Sequence, residues 1–135
     1  MQRNKSLFLS CVVPVFNEGE VISPFITTLI EHLDAITDQF EIIVVDDGSS
    51  DNTINLVESF CANFPVKLIV LSRNFGKEAA LTAGIDACEG DAVLLIDADF
   101  QHPMDMISVF INYWKMGYDM IYGVRKDRDN ESFLK

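Results

Sequence analysis

Several features are scarce or missing in this 135-residue sequence, and each absence excludes a class of protein. No apolar run approaches the about 20 residues that cross a bilayer, so we expect the chain itself to be soluble. Ten basic residues stand against 21 acidic ones, and a net charge of -11 leaves no basic face for nucleic acid. Neither a G-x-G-x-x-G nor a G-x-x-x-x-G-K-[ST] motif occurs, which excludes those dinucleotide-binding and P-loop signatures.

Cysteine and histidine are also too few, and too far apart in the sequence, to indicate a cysteine metal site or a catalytic triad. Cys11, Cys61 and Cys88 each lie in an apolar stretch without metal-ligand spacing, so we expect buried free thiols. His32 and His102 have no placed nucleophile, so the sequence gives no support for a Ser/His/Asp triad. Only four prolines and a hydrophobic content of 49% predict a folded globule of one domain.

What is present is a regular alternation of strand-like and helix-like segments. Short, nearly continuous apolar runs predict strands buried on both faces at Leu7–Val15, Phe40–Val45, Val66–Leu71, Ala92–Ile96 and Met120–Val124. Helical periodicity lies between them, at Val21–Leu33, Ser50–Phe64, Gly76–Cys88 and Met104–Met116. This order predicts an α/β fold with an open, mostly parallel sheet and helices on both faces.

Charged residues follow the predicted strands at four places. They are Glu18 after the first strand, Asp46 and Asp47 after the second, Asp97 after the fourth and Arg125 after the fifth. Ligands of open α/β sheets bind at the carboxyl ends of the strands. These residues therefore predict one binding site along that edge.

The pair Asp97 and Asp99 is the candidate metal site. Two carboxylates one residue apart, just past a buried strand, can converge on Mg²⁺ or Mn²⁺, and Gln101 adds a further oxygen ligand. A turn that caps the next helix is the alternative explanation for an isolated Asp-x-Asp. The strong negative charge favours the metal, because an acidic protein needs a divalent cation to bind an anionic nucleotide.

Asp46 is the candidate nucleotide contact in the segment 44–51 (VVDDGSSD). A carboxylate at a strand end can accept hydrogen bonds from a base or a ribose. We assign Asp47 and Gly48 to the turn, and Ser50 or Asp51 to the N-cap of the next helix. We therefore expect both a turn and a ligand contact in this segment.

Five segments together resemble family 2 glycosyltransferases of the GT-A fold, in the group that glycosylates polyprenyl phosphates. They are 14–18 (PVFNE), 44–51 (VVDDGSSD), 72–77 (SRNFGK), 97–103 (DADFQHP) and 122–125 (YGVR). The resemblance covers essentially the whole chain. Residues 72–80 (SRNFGKEAA) are most similar to the bactoprenol glucosyltransferases, which favours UDP-glucose over GDP-mannose, and dolichol-phosphate mannose synthases are also similar.

The resemblance implies a role for each matching residue. The residues expected to contact the nucleotide sugar are Pro14, Phe16, Glu18, Val44, Asp46, Asp97, Ala98, Asp99, Gln101 and Arg125. Among these, Asp97, Asp99 and Gln101 would hold the metal, and Arg125 would reach the diphosphate. Arg128 and Ser132 are similar to the pair that binds the lipid phosphate, and with Asp99 and Arg125 they form the expected catalytic set. Phe16 replaces a tyrosine common in the family, which removes one hydroxyl.

The implied reaction is an inverting transfer of glucose to polyprenyl or undecaprenyl phosphate. The acceptor phosphate is largely ionised near neutral pH, because its second pKa is about 6. Members of the group continue with acceptor-side and membrane segments, so we expect residues 1–135 to be a truncated nucleotide-sugar-binding domain and do not expect it to transfer sugar to lipid alone. The full-length protein would work at the cytoplasmic face of the cell membrane. Its oligomeric state stays open, a homo-oligomer included.

Two other functions compete with this interpretation. A nucleotide-sugar-binding module without catalysis would keep the fold and lose the reaction. A receiver-like phospho-acceptor domain shares the length, the β/α order and a magnesium-binding acidic cluster. In receivers, however, the acid pair follows the first strand, whereas Asp46 and Asp47 follow the second.

Overall fold

The fold is a parallel α/β sheet with helices on both faces. The computed structural model describes residues 6–98, 106–117, 122–127 and 130–134. Its elements are β1 (Phe8–Val15), α1 (Ile22–Ile36), β2 (Gln39–Asp46), α2 (Thr53–Cys61), β3 (Val66–Val70), α3 (Lys77–Asp86), β4 (Ala92–Leu95), α4 (Met106–Lys115), β5 (Tyr122–Asp127) and β6 (Asn130–Leu134). The predicted fold class is confirmed.

The four parallel strands lie in the order β3-β2-β1-β4. Every residue of β1 and β2 is paired in parallel, from Phe8 opposite Gln39 to Val15 opposite Asp46. The two central strands therefore end side by side, and the loops that follow them meet at the carboxyl edge of the sheet.

Alternating residues of the central strands face two separate apolar clusters. The larger cluster joins β1 residues such as Cys11 and Val13 to α1, α2 and α4, through side chains that include Phe25, Val57 and Trp114. The smaller one joins Val12, Ile43 and Val45 to Ala80 of α3. Both faces of β1 and β2 are thus buried, which explains their continuous apolar sequence.

α3 approaches the sheet closely because Gly84 has no side chain. A Cβ at this position would lie 3.0 Å from Cγ2 of Val45 and would also collide with Val12. Small residues at Ala80 and Gly84 therefore bring the helix, and the loop before it, close to the central strands.

A polar network fastens the opposite, amino-terminal edge of the sheet. The buried carboxylate of Glu41 accepts hydrogen bonds from the Ser10 hydroxyl at 2.6 Å and the Glu89 N–H at 2.8 Å. Its other oxygen lies 2.9 Å from Nζ of Lys67. This network joins β1, β2, β3 and the loop before β4.

Two expectations about strands and thiols need correction. The predicted fifth parallel strand is instead β5, which pairs antiparallel with β6 in a separate two-stranded sheet. Only two residues join these strands, and so short a connection permits antiparallel neighbours alone. Of the three thiols, Cys11 is buried, whereas Cys61 and Cys88 are only half-buried.

None of the four described helices has the length and hydropathy of a transmembrane span.

Candidate active site

A cavity of about 350 Å³ opens at the carboxyl edge of the parallel sheet. The end of β1 contributes Pro14, Val15, Phe16 and Glu18, and the ends of β2 and β4 contribute Asp47, Asp97 and Ala98. The remaining wall consists of Asn74, Gly76, Lys77 and Ala80, around the start of α3. The cavity lies at the edge of the sheet where the sequence predicted a binding site.

The structure brings five of the predicted site residues together in this cavity. They are Pro14, Phe16, Glu18, Asp97 and Ala98. Phe16 is 45% exposed, so its ring presents an apolar surface at the cavity. The predicted binding contacts of these residues stay predictions, but their shared location is observed.

Val44 and Asp46 lie beneath the cavity and do not line it. Both are fully buried in β2, and Val44 packs in the larger apolar cluster. Strand alternation turns Val44 toward the helices of that cluster. A direct contact between Val44 and a base remains a prediction that the observed packing does not support.

The carboxylate of Asp46 is only half satisfied. Its Oδ2 accepts the N–H groups of Gly48 at 3.1 Å and Ser49 at 2.9 Å, which closes the turn after β2. Its Oδ1 is buried and has no hydrogen-bond partner among the described residues. A buried acceptor without a donor costs free energy, so this atom is suited to receive one from outside the turn.

Asp47 positions the loop before α3. Its Oδ1 accepts the Phe75 N–H at 2.8 Å and its Oδ2 accepts the Gly76 N–H at 3.0 Å. Gly48 permits this close approach: it has a φ of +83°, and a Cβ there would lie 2.6 Å from the carbonyl carbon of Arg73. Asp47 was predicted to form only the turn after β2, but its carboxylate also holds the loop before α3 in place.

Asn17 joins the loops that follow β1 and β2. It adopts a φ of 51°, and its Oδ1 accepts the Ser50 N–H at 2.8 Å, while its own N–H donates to Oγ of Ser49 at 2.7 Å. Nearby, hydrogen bonds from the Thr53 hydroxyl and N–H lower the pKa of the exposed Asp51. These contacts fix the segment that carries Phe16 and Glu18.

The N-cap prediction for α2 is partly wrong. The helix begins at Thr53 after Asn52, and neither Ser50 nor Asp51 is the N-cap residue. Asp51 nevertheless accepts the Thr53 N–H at 3.0 Å through Oδ1. Asp51 is one residue too early in the chain to be the cap itself, but its carboxylate still reaches the first turn.

Lys77 and Asp97 form an ion pair at the cavity. Nζ of Lys77 lies 2.7 Å from Oδ1 of Asp97, and the two side chains are 58% and 22% exposed. The cavity wall contains three carboxylates, those of Glu18, Asp47 and Asp97, and Lys77 is its single cationic residue within the described part of the chain. The site is therefore strongly acidic.

The remaining predicted residues cannot be placed by their side chains. Asp99, Gln101 and Arg128 lie outside the described residues. Arg125 and Ser132 are described by their backbone alone: Arg125 lies within β5, and Ser132 pairs with Val124 across the hairpin. Within the described ranges, no group of three His, Cys, Asp or Glu residues could hold a metal ion.

Asn74, Gly76 and Lys77 line the cavity, although no role was predicted for them. They belong to the motif 72–77, which follows the third strand, so the strand-end rule could have found them. A lysine at the first position of α3 was a second signal, because a positive charge is unfavourable at a helix N-terminus.

The chain is similar to known glycosyltransferases. The family model "Glycosyl transferase family 2" matches residues 10–135. The chain is 41% identical over 128 residues to a bactoprenol glucosyl transferase of Shigella phage SfV, covering 94% of this chain and 42% of the relative. It is 34% identical over 130 residues to an undecaprenyl-phosphate 4-deoxy-4-formamido-L-arabinose transferase of Pseudomonas fluorescens, covering 95% and 38%.

A solved structure has the same fold. Glucosyl-3-phosphoglycerate synthase from Mycobacterium tuberculosis, in complex with Mn²⁺, UDP and phosphoglyceric acid, superposes with a TM-score of 0.65 at 26% identity. The match covers 82% of this chain and 40% of that one. This chain thus spans about 40% of the length of the relatives that it matches. The family match over residues 10–135 shows that the chain belongs to glycosyltransferase family 2.

Proposed function

We propose that this chain is the nucleotide-sugar-binding part of a metal-dependent, inverting transferase that moves glucose from UDP-glucose to a polyprenyl phosphate. The observation that carries the proposal is the acidic cavity at the carboxyl edge, which is lined by the carboxylates of Glu18, Asp47 and Asp97 and, among the described residues, by one cationic side chain, that of Lys77. A nucleoside diphosphate is anionic, so a divalent cation bound with it would offset the repulsion from these carboxylates. Mg²⁺ and Mn²⁺ are the candidate ions, and GDP-mannose is the second candidate donor.

One carboxylate at the cavity, that of Asp97, is suited to a divalent cation. Asp97 already attracts a positive charge, because the Lys77 ammonium lies 2.7 Å from its Oδ1. Magnesium typically takes one or two carboxylates and completes its coordination with substrate phosphates and water. Asp97 would supply one carboxylate, with Asp99 and Gln101 as the further proposed ligands. When bound, such a cation stabilises the charge of the departing diphosphate.

The chain's own residues would bind and orient the donor. Pro14, Phe16 and Glu18 form the wall at the end of β1, against which the nucleotide would pack. Oδ1 of Asp46, which has no hydrogen-bond partner among the described residues, would accept a hydrogen bond from the base. Arg125 would bind the diphosphate, whereas Arg128 and Ser132 would bind the acceptor phosphate.

The acceptor is proposed from the named relatives. A bactoprenol glucosyl transferase and an undecaprenyl-phosphate sugar transferase both align over nearly all of this chain. A polyprenyl phosphate acceptor lies in a membrane, so the enzyme must contact that membrane. We assign this contact to other segments of the full-length protein and place it at the cytoplasmic face of the membrane. The family assignment leaves no support for the receiver-like alternative.

Donor binding can be tested by thermal unfolding with UDP-glucose, UDP-N-acetylglucosamine and GDP-mannose, each with Mn²⁺ or with a chelator. A ligand that binds only the native state raises its stability, so the preferred donor gives the largest rise in Tm. We expect UDP-glucose with Mn²⁺ to give that rise. Equal shifts in Mn²⁺ and in chelator would refute the metal-bridged cavity.

Transfer should then be assayed with the full-length protein and two acceptors, undecaprenyl phosphate and 3-phosphoglycerate. Glucosyl transfer to the lipid phosphate alone is the expected outcome. Transfer only to phosphoglycerate would contradict the acceptor assignment. Donor binding without any transfer would favour a nucleotide-sugar-binding module.

A further inference from the structure

We propose that Lys77 is a built-in counter-cation that competes with the divalent ion for Asp97 and so makes metal binding depend on the nucleotide. The proposal rests on the proposed function, because it concerns the same metal and donor. It adds a role for a residue that neither the metal site nor the base contact requires.

The first observation is the ion pair itself. Lys77 Nζ lies 2.7 Å from Asp97 Oδ1, at the carboxylate that is expected to bind the metal. The ammonium and a divalent ion cannot both occupy this side of the carboxylate. A cation that binds Oδ1 of Asp97 without a nucleotide must therefore displace Lys77.

The second observation is the position of Lys77 in α3. It is the first residue of the helix, where the backbone N–H groups already create positive potential. A lysine is unfavourable there unless a carboxylate compensates it, and Asp97 provides that compensation. Gly76 and Phe75 are held by Asp47, so the start of the helix is fixed beside Asp97.

A diphosphate changes this competition. It brings negative charge into the cavity, so Lys77 can leave Asp97 without remaining unpaired. The metal and the nucleotide then bind together more tightly than either binds alone. This coupling is reciprocal, as linkage requires.

The test is Mn²⁺ binding, measured by titration calorimetry and by the electron paramagnetic resonance signal of free Mn²⁺, with and without UDP. Lys77→Met removes the competitor, so Mn²⁺ alone should bind about fivefold more tightly than to the wild type. This factor corresponds to about 1 kcal/mol, the upper range for a partly exposed ion pair. The effect of UDP on Mn²⁺ affinity should shrink in the same variant.

Two matched variants make the result specific. Lys77→Arg keeps the charge and should bind Mn²⁺ alone as the wild type does. Lys115→Met removes one positive charge from the exposed end of α4 and should change nothing. Circular dichroism and Tm should show that all variants remain folded.

The proposal is overturned if Lys77→Met binds Mn²⁺ alone no more tightly than the wild type, or if Lys115→Met gives the same gain. An unfolded Lys77→Met protein would leave Lys77→Gln to make the same comparison. If the wild type binds UDP equally well in Mn²⁺ and in chelator, the metal-dependent function itself fails. That outcome can be told apart from a failure of the lysine competition, in which metal dependence survives.

Discussion

Asp47 holds Gly76, although 29 residues separate them in the sequence. The Gly76 N–H donates to Oδ2 at 3.0 Å, and the neighbouring Phe75 N–H donates to Oδ1 at 2.8 Å. The end of β2 thereby determines where α3 starts and where Lys77 lies. A carboxylate assigned to a turn is thus a positioning residue for the opposite wall of the cavity.

Asp47→Asn should loosen this wall. An amide offers one acceptor oxygen in place of two, so one of the two backbone N–H groups loses its partner. Because hydrogen bonds to charged groups contribute about 1.5–3 kcal/mol, we expect the free energy of unfolding to fall by about that amount. Chemical denaturation measures this loss of unfolding free energy. The affinity for UDP in the presence of Mn²⁺ should fall as well. The control is Asp86→Asn at the exposed end of α3, and an equal loss in both variants would contradict a specific role for Asp47.

Asp46→Asn should separate base binding from turn formation. The amide oxygen can still accept the N–H groups of Gly48 and Ser49, so the turn should persist. The amide nitrogen would take the place of Oδ1, which has no partner within the described part of the chain. It would present a donor where the base is also expected to donate. UDP affinity should fall by about 1.5–3 kcal/mol, measured by calorimetry in saturating Mn²⁺. Unchanged affinity would show that Asp46 serves the turn alone.

The metal dependence of the Asp46→Asn protein should stay intact, because Asp97 is unaltered. The ratio of UDP affinities in Mn²⁺ and in chelator checks this point. A lost metal response with preserved affinity would reverse the division of roles between Asp46 and Asp97.

Glu41→Gln should destabilise the fold, and the effect should depend on pH. Burial opposes ionisation of Glu41, but hydrogen bonds from Ser10, Glu89 and Lys67 outweigh it and lower its pKa below the ordinary 4.5. A lowered folded-state pKa contributes stability that is complete above 4.5 and is lost as the pH falls through the folded value. The stability difference from the wild type should therefore be largest near neutral pH and should shrink in acid.

Urea denaturation across a series of pH values measures this difference, which we expect to be about 1.5–3 kcal/mol at neutral pH. Glu58→Gln on the exposed face of α2 is the matched control. A difference that stays constant with pH would show that the ionised form of Glu41 is not what stabilises the network.

Gly84→Ala should destabilise the protein although alanine is the better helix former. In an exposed helix interior the substitution gains up to about 1 kcal/mol. Here the added methyl group collides with Val12 and Val45, and overpacking costs about 1–3 kcal/mol. Thermal and chemical unfolding give the sign, and Thr82→Ala on the exposed side of α3 should change stability little. A stabilised Gly84→Ala protein would mean that α3 does not press against the sheet as described.

The fold class and the edge that carries the site could be predicted because local physics determines both. The continuous apolar runs of β1 and β2 are typical of strands that are buried on both faces, so they predicted central parallel strands. Topology then brought Glu18, Asp47 and Asp97 to one edge. The net negative charge of the sequence and the acidic cavity favour a divalent cation for the same reason: carboxylates repel an anionic nucleotide unless a cation lies between them.

The fifth strand was predicted wrongly because a short apolar run does not reveal its partner. Tyr122–Asp127 could have joined the parallel sheet, and only the pairing with Asn130–Leu134 shows an antiparallel hairpin. The polar sequence of β6 gave no alternating pattern that would have indicated it.

The chain's residues by themselves determined a two-faced parallel sheet, its order of elements and an acidic site at the strand ends. Only the tertiary structure decided which acid does what: Asp46 lies buried under the turn, Asp47 fixes the start of α3, and Asp97 faces Lys77. The reason is physical. Burial and hydrophobic periodicity are properties of short segments, whereas a hydrogen bond over 29 residues or an ion pair over 20 exists only once the packed sheet has set the distance between two loops.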